Sequence, residues 1–337
     1  MKAVKDLLKK REAAVFLLLV VLVLGVGIVN PIFLKPDTLK GVLDNSLILI
    51  LIATGEMFVL LTAGIDVSLG AVTGLSAVVA GLSLNAGISY GGSILLAVGA
   101  SLAAGIVNGF GVALLEIPPI IMTLGMMGVL RGLMYIITGG SWIDTIPTGF
   151  KNMSGVSFAG ISVFAWIVIV MSVVMTAVVK RFKSARIFYY IGDNEEGAFF
   201  MGISVKRGLF FAYSLAGLFA GLAGIVFVSR IGFIPMQTGS GQELRAIAAC
   251  VLGGVSLSGG VGIPLSALIG GLFLTTIDSV LVFLKVPAFW NDAIAGAILL
   301  VVVLLDFRFR MLLEVKEKKE RLKYIRISRN NETGVVR

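Results

Sequence analysis

The chain has 337 residues, of which 58% are hydrophobic and only 14% are charged. With a mean hydropathy of +1.03, this composition excludes an ordinary soluble domain and indicates a protein that resides in the lipid bilayer. Histidine is absent and Cys250 is the single cysteine. The sequence therefore lacks the residues that usually bind zinc and haem and those that carry out histidine-based catalysis. We expect no metal, no cofactor and no enzymatic site.

The net charge of +9 could suggest a nucleic-acid partner, but the positions of the basic residues argue against one. Of the 28 Lys and Arg residues, 5 lie in residues 1–12, 6 in residues 180–207 and 10 in residues 308–337. Loops rich in Lys and Arg mark the cytoplasmic side of a membrane protein. No pattern of stacking aromatic residues accompanies the charge, so we expect a bilayer and no nucleic acid.

Hydrophobic runs of about twenty residues predict an all-α polytopic membrane protein with about ten transmembrane helices. The predicted spans are 13–34, 42–62, 67–88, 92–115, 118–138, 161–180, 208–228, 242–257, 263–283 and 291–306. The eighth of these is short and glycine-rich, so hydropathy alone also allows a re-entrant segment. Charge favours a crossing, because six spans before the basic loop and four after it place that loop and both termini in the cytoplasm.

This order of spans predicts three parts of the chain. Residues 1–12 form a cytoplasmic N-terminus, residues 13–306 form one transmembrane domain that includes a cytoplasmic loop at 181–207, and residues 307–337 form a basic cytoplasmic tail. Small-residue runs predict close helix packing at five glycines in the later spans: Gly217, Gly221, Gly224, Gly270 and Gly271.

A polar stretch interrupts the hydrophobic sequence inside the 181–207 loop. Glu196, Ala198 and Gly202 have the spacing E-x-A-x-x-x-G, which resembles the coupling loop of import permeases of the ATP-binding-cassette class. The resemblance implies a short helix that docks on an ATPase, acidic at its start through Asp193, Glu195 and Glu196 and ended by Gly202. The ATPase-coupling residues would be Gly192, Asp193, Asn194, Glu195, Glu196, Ala198, Gly202 and Ile203. A solvated loop helix without a partner is the alternative.

A second motif precedes the third predicted span and resembles the signature of the ribose-type sugar permease family, G-I-D-[VL]-S-[VL]-G. It comprises Gly64, Ile65, Asp66, Val67, Ser68, Leu69 and Gly70. Asp66 and Ser68 can cap the helix that follows, which is the simpler interpretation. The alternative is a gate or hinge formed by Gly64, Ile65, Asp66, Ser68 and Gly70.

Longer segments, among them IGFIPMQTGSGQELRAIAACVLGGVSLSGG and LRGLMYIITGGSWIDTIP, are similar to the permease subunits of autoinducer-2 import systems. The resemblance covers nearly the whole chain. It implies a type II ABC importer-like fold in the inner membrane of a bacterium. It also implies three protein partners, namely an ATP-binding-cassette ATPase, an extracytoplasmic solute-binding protein and a second, related permease chain.

The sequence contains no G-x-x-x-x-G-K-[ST] motif, so ATP hydrolysis would come from a partner subunit. Two other functions remain open at this point: a permease for ribose, rhamnose or another monosaccharide, and an ion-coupled secondary transporter.

Polar residues within or beside the predicted spans are candidates for the translocation path, since ionisable groups are costly there unless they face protein or water. These candidates are Glu56, Arg131, Asp278, Asn291 and Asp292. Arg131 and Asp278 could alternatively form an ion pair with each other.

Overall fold

The architecture comes from a computed structural model that describes residues 11–287 and residues 290, 293, 294, 296, 297, 300, 301 and 304. Several predicted features lie outside the described residues: Asn291 and Asp292, most of the span 291–306, the tail 307–337 and all but the last two residues of the segment 1–12.

Helices account for most of the described chain. In chain order they are α1 (Arg11–Val29), α2 (Pro36–Leu61), α3 (Leu69–Asn85), α4 (Tyr90–Ala113), α5 (Pro119–Thr138), α6 (Thr148–Asn152), α7 (Val163–Arg181), α8 (Ile187–Asp193), α9 (Glu195–Phe200), α10 (Val205–Ile231), α11 (Gln242–Leu252) and α12 (Pro264–Phe283). Short 3-10 turns occupy Pro31–Leu34, Met153–Gly155 and Lys183–Arg186. Proline opens α2, α5 and α12, where its missing N–H costs nothing.

One small element departs from the predicted all-α fold. Strands β1 (Ser157–Phe158) and β2 (Ile161–Ser162) pair antiparallel in the loop before α7. The two residues between them, Ala159 and Gly160, both have positive φ, at 52° and 79°. That backbone conformation matches the twist of a tight hairpin, so this hairpin arises from its turn rather than from strand propensity.

Six helices in the described part of the chain are long and apolar enough to cross a membrane: α2, α4, α5, α7, α10 and α12. Helix α3 and the stretch Ala13–Val29 of α1 are apolar but shorter. These eight helices begin and end within a few residues of eight of the predicted spans. The protein is therefore a multi-pass helical membrane protein, and the count of ten crossings stays a prediction.

The helix predicted at 242–257 is wrong over its last five residues, because α11 ends at Leu252 after 11 residues. Eleven residues extend only about 16 Å, roughly half of a hydrocarbon core. Gly253 and Gly254 follow the helix, and Gly254 has a φ of 103° that favours glycine. Gly253 also lies so close to the backbone of Ser266 that a Cβ would overlap it. The chain consequently turns here and approaches α12.

An irregular segment of turns, residues 232–241, precedes α11 and contacts the helix bundle at two points. Ile234 pairs with Ile143 through two backbone hydrogen bonds of 3.1 and 2.8 Å, and it is buried. Farther along, the carbonyl oxygen of Thr238 lies 2.6 Å from where a Cβ on Gly74 of α3 would be. These two contacts fix the position of the segment against the bundle.

Helix α10 lies at the centre of the bundle and packs against α2, α3 and α4. A Cβ on Gly217 would be 2.6 Å from the carbonyl oxygen of Ser101, and one on Gly224 would be 2.6 Å from the hydroxyl of Ser76. The close packing predicted for Gly217, Gly221, Gly224, Gly270 and Gly271 is confirmed, since a Cβ at each would meet a neighbouring helix within about 3 Å. Any side chain at these positions would push the helices apart.

Candidate functional site

The loop between α7 and α10 contains two short helices separated at Asn194. Asn194 has an extended φ of −161°, and its side chain accepts a hydrogen bond of 2.9 Å from the amide of Gly197, which caps α9. Asp193 is the last residue of α8 and so does not lie in the first turn of α9, contrary to the prediction. Glu195 and Glu196 do occupy that first turn, where their negative charge interacts favourably with the positive end of the helix dipole.

The end of α9 follows the predicted pattern. Gly202 has a φ of 77°, and the amide of Ile203 donates to the carbonyl oxygen of Ala198 at 3.0 Å. This geometry matches a helix end that is closed by a left-handed glycine. The Ala198 side chain is fully buried, so the E-x-A-x-x-x-G spacing has a structural basis: exposed acids, a buried alanine and a terminating glycine.

Three large side chains that the sequence interpretation missed dominate the exposed surface of α9. Phe199, Phe200 and Met201 are 69%, 84% and 66% exposed. With Glu195, Glu196 and Ile203, the two aromatic residues line an open groove of about 880 Å³. Two adjacent Phe residues in an otherwise polar loop were the available signal. We call this surface, Glu195–Ile203, the α9 surface.

The other end of the loop is held against the helix bundle. Gly192 lies against the carbonyl oxygen of Leu61, which also accepts a hydrogen bond of 3.1 Å from the amide of Gly260. The Tyr189 hydroxyl donates to the carbonyl oxygen of Gly262 at 2.6 Å. The C-terminal end of α2 and the turn after α11 therefore both contact α8, one residue away from α9.

A lysine anchors the far end of the loop. Lys206 is the second residue of α10 and donates to the Glu116 carboxylate at 2.8 Å. Both side chains are exposed. This hydrogen bond and the lysine charge hold the pKa of Glu116 below its usual range.

The motif that starts at Gly64 forms a buried polar cluster. Asp66 Oδ1 accepts hydrogen bonds from the amide and the hydroxyl of Ser68, at 2.8 and 2.6 Å. Ser68 is the N-cap residue of α3, but its side chain makes no capping bond, so the predicted capping role is wrong for Ser68. The hydroxyl is already engaged with Asp66 instead.

A residue from α4 completes this cluster and was also missed. Asn108 Nδ2 donates to Ser68 Oγ at 2.8 Å and to Asp66 Oδ2 at 3.3 Å. Its signal was a lone amide in an otherwise apolar helix. Glu56 joins from α2, where its Oε1 accepts from the Asp66 amide at 3.2 Å. We call Glu56, Asp66, Ser68 and Asn108 the motif cluster; all four are almost completely buried.

A polar cavity of about 270 Å³ lies between α2, α3, α11 and α12. Its polar side chains are Asn45, Thr73, Gln242, Arg245, Thr275, Asp278 and Ser279. Arg245 and Asp278 form an ion pair across it. Both are mostly buried, with exposed side-chain fractions of 18% and 23%. A cavity with so many hydrogen-bonding groups can hold a small polar solute.

The suggested pairing of Arg131 with Asp278 is wrong. Arg131 Nη1 donates instead to the carbonyl oxygen of Thr238 at 2.7 Å, while Arg245 pairs with Asp278. The reason is the irregular segment 232–241, which brings the carbonyl group of Thr238 to Arg131 and is followed by α11, the helix that carries Arg245. Among the predicted path residues, Glu56 therefore lies in the motif cluster, Asp278 lines the cavity, and Arg131 donates to the irregular segment.

Comparison with known proteins connects these features to a family. Residues 38–303 match the family model described as "Branched-chain amino acid transport system / permease component". The chain is 45% identical to "Autoinducer 2 import system permease protein LsrC" of Salmonella typhi over 94% of this chain and 91% of the relative. Proteins of the same name from Enterobacter sp. (strain 638) and Escherichia coli O157:H7 are each 44% identical, over 98% and 94% of this chain and 96% and 93% of the relatives. No solved structure matches the chain.

Proposed function

The chain belongs to the family of permease components of the branched-chain amino acid transport system, and from this premise we propose that it is the transmembrane permease subunit of an ATP-binding-cassette importer for autoinducer-2. The proposed substrate rests on one observation, the 44–45% identity, over more than 90% of both chains, to proteins named for autoinducer-2 import. Composition supports the same role, because the helices of this chain are apolar and its sequence has no P-loop.

Three partners complete the proposed importer: an ATPase subunit, an extracytoplasmic solute-binding protein and a second permease chain. The proposed orientation puts both termini and the 181–207 loop in the cytoplasm of a bacterial inner membrane. The basic residues support it, since 21 of the 28 lie in those three segments. The domain boundaries follow: residues 13–306 form the permease domain, with residues 1–12 and 307–337 as its cytoplasmic ends.

The α9 surface is the proposed contact with the ATPase, and its Phe199 and Phe200 join the predicted coupling residues. Those residues are Gly192, Asp193, Asn194, Glu195, Glu196, Ala198, Gly202 and Ile203. Exposed aromatic side chains rimmed by acids are typical of a protein-binding surface. Helix α8 makes tight contacts with the end of α2 and with the turn after α11. These contacts support a role of the loop as a lever, in which a displacement of α9 by the ATPase is transmitted through α8 to the helix bundle.

The polar cavity is the proposed part of the translocation path within this subunit. A neutral, hydroxyl-rich solute needs paired donors and acceptors, and the Arg245–Asp278 pair with Asn45 and Gln242 supplies both. Asp278 is the path residue that this geometry favours most. Glu56, Arg131, Asn291 and Asp292 remain proposed path residues, and Gly64, Ile65, Asp66, Ser68 and Gly70 a proposed gate.

Reconstitution in vesicles tests this function. The chain is assembled with an autoinducer-2 ATPase, binding protein and second permease, and uptake of autoinducer-2, ribose and rhamnose is measured with ATP inside the vesicles. We expect ATP-dependent uptake of autoinducer-2 and none with an ATPase variant that cannot hydrolyse ATP. Preferred uptake of ribose or rhamnose would contradict the assignment of autoinducer-2 as the substrate. Uptake by the chain alone in response to a proton or sodium gradient would contradict the assignment as an ATP-driven importer.

A further inference from the structure

Two carboxyl groups of the motif cluster lie buried together, and no basic side chain in the described part of the chain balances them. Glu56 is 0% and Asp66 1% exposed, and the Asp66 amide connects them through its hydrogen bond to Glu56 Oε1. Among the described residues, no Lys or Arg side chain forms an ion pair with either. Burying carboxylates in this way is costly unless a positive charge or a proton accompanies them.

A third buried carboxyl shows the arrangement that this pair lacks. Asp44 lies on the same helix, α2, and is 8% exposed. It accepts a hydrogen bond from Ser162 and forms an ion pair of 3.7 Å with Arg230. Within residues 11–287, one buried acid on α2 thus has a counter-charge and the other has none.

Three oxygen atoms around the pair have no hydrogen-bond partner: Glu56 Oε2, Asn108 Oδ1 and the hydroxyl of Tyr213. Tyr213, on α10, is 0% exposed. Its hydroxyl lies against the motif backbone, 2.6 Å from where a Cβ on Gly64 would be. Polar atoms that are buried and unpaired require an explanation, and a bound ion is one.

The kinds of unpaired atom indicate what could balance the cluster. Asn108 presents its oxygen because Nδ2 already donates to Asp66 Oδ2 and Ser68 Oγ. An amide oxygen only accepts hydrogen bonds, so Asn108 Oδ1 needs a donor or a positive charge beside it. A cation would supply that charge and would balance a carboxylate as well. Hard cations prefer such oxygen ligands.

We propose that Glu56, Asp66, Asn108 and Tyr213 form a buried binding site for a monovalent cation, sodium or potassium. A divalent ion fits less well: calcium takes six to eight oxygens, and magnesium keeps several waters, for which a fully buried cluster has little room. The cation joins α2, the loop before α3, α4 and α10. It neutralises one of the two carboxylate charges at the point where these four segments meet.

Thermal unfolding of the full-length chain in detergent tests the site. The Tm is measured in sodium, potassium or choline chloride at equal ionic strength, and binding of radiolabelled sodium is measured directly. We expect sodium or potassium to raise the Tm by roughly 5 °C at saturation relative to choline, and the more effective ion identifies the ligand. Equal Tm values in the three salts, or a Tm that depends only on pH between 6 and 8, would overturn the site.

Variants assign the response to these residues. Glu56→Gln should abolish the cation effect. Tyr213→Phe, which keeps the ring that fills the core, should raise the concentration for half-maximal effect about tenfold, as expected for the loss of one ligand. The control is Asp44→Asn, which lowers the Tm in all three salts but preserves the cation effect. A cation response that survives in Glu56→Gln, or an unchanged half-maximal concentration in Tyr213→Phe, would refute the assignment.

Discussion

Gly192 of the loop and Leu61 at the end of α2 are packed so closely that a Cβ on Gly192 would overlap the carbonyl oxygen of Leu61. They are 131 positions apart in sequence. Their contact connects α8, which directly precedes the α9 surface, to α2, one of the most deeply buried helices of the described chain.

Gly192→Ala should uncouple the loop from the bundle. The added methyl group must push α8 away from Leu61 and from the nearby Gly260. We expect stimulation of the ATPase by solute-loaded binding protein to fall at least tenfold in reconstituted vesicles. Gly125→Ala on α5 is the matched control, because Gly125 is also helical and has open space around its Cβ position. Alanine is favoured over glycine in both helices, so only the contact differs. Normal stimulation in Gly192→Ala would contradict the lever.

Glu196→Lys should leave membrane insertion intact and abolish stimulation of the ATPase. Glu196 lies in the first turn of α9, where a positive charge opposes the helix dipole and reverses the charge offered to the partner. Insertion is measured by the yield of folded protein in membranes, and coupling by ATP hydrolysis in vesicles. Asp37→Lys, at an exposed acid in the first turn of α2, serves as the control and should retain stimulation.

Phe200→Ala should weaken binding of the ATPase without affecting the fold. Phe200 is 84% exposed, so its removal creates no cavity in the protein, whereas aromatic anchors of interfaces typically contribute about 2 kcal/mol or more. We expect the Kd of the isolated ATPase for the permease to rise about thirtyfold. Phe182→Ala, at a 56% exposed position before α8, should leave the Kd unchanged. If both substitutions have the same effect, the α9 surface is not the contact.

Arg245→Met should destabilise the protein, because it leaves Asp278 mostly buried without its ion-pair partner. Breaking a buried pair costs about 3–5 kcal/mol, while replacing both partners by apolar residues is often tolerated. We therefore expect Arg245→Met/Asp278→Leu to recover most of the lost Tm but to transport no autoinducer-2. Restored uptake in the double variant would show that the pair is only structural.

Asn108→Ala should lower the free energy of unfolding by about 1–3 kcal/mol, because Asp66 Oδ2 and Ser68 Oγ lose their buried donor. Asn85→Ala removes an exposed hydrogen bond to Thr145 and should change the stability by less than about 0.5 kcal/mol. Chemical denaturation in detergent measures both. An equal effect of the two substitutions would mean that the motif cluster contributes little to stability.

Much of the fold could be predicted because its signals are local. Eight predicted spans coincide with helices, and Asn194 and Gly202 bound α9 within the predicted loop. The failures are also local in origin: α11 is shorter than its apolar run, since Gly253 and Gly254 turn the chain toward α12. Ser68 was expected to cap α3, but its hydroxyl is engaged with Asp66.

The sequence by itself determined that this chain resides in a membrane, where eight of its longer helices lie, and which loop carries the acidic residues. Those properties depend on hydrophobic length, capping residues and glycine, all of which act within a few positions. Only the tertiary structure decided that Arg245 pairs with Asp278, that Asn108 reaches Asp66 and that Gly192 meets Leu61. Such partners lie tens of residues apart or more, and helix packing alone brings them together.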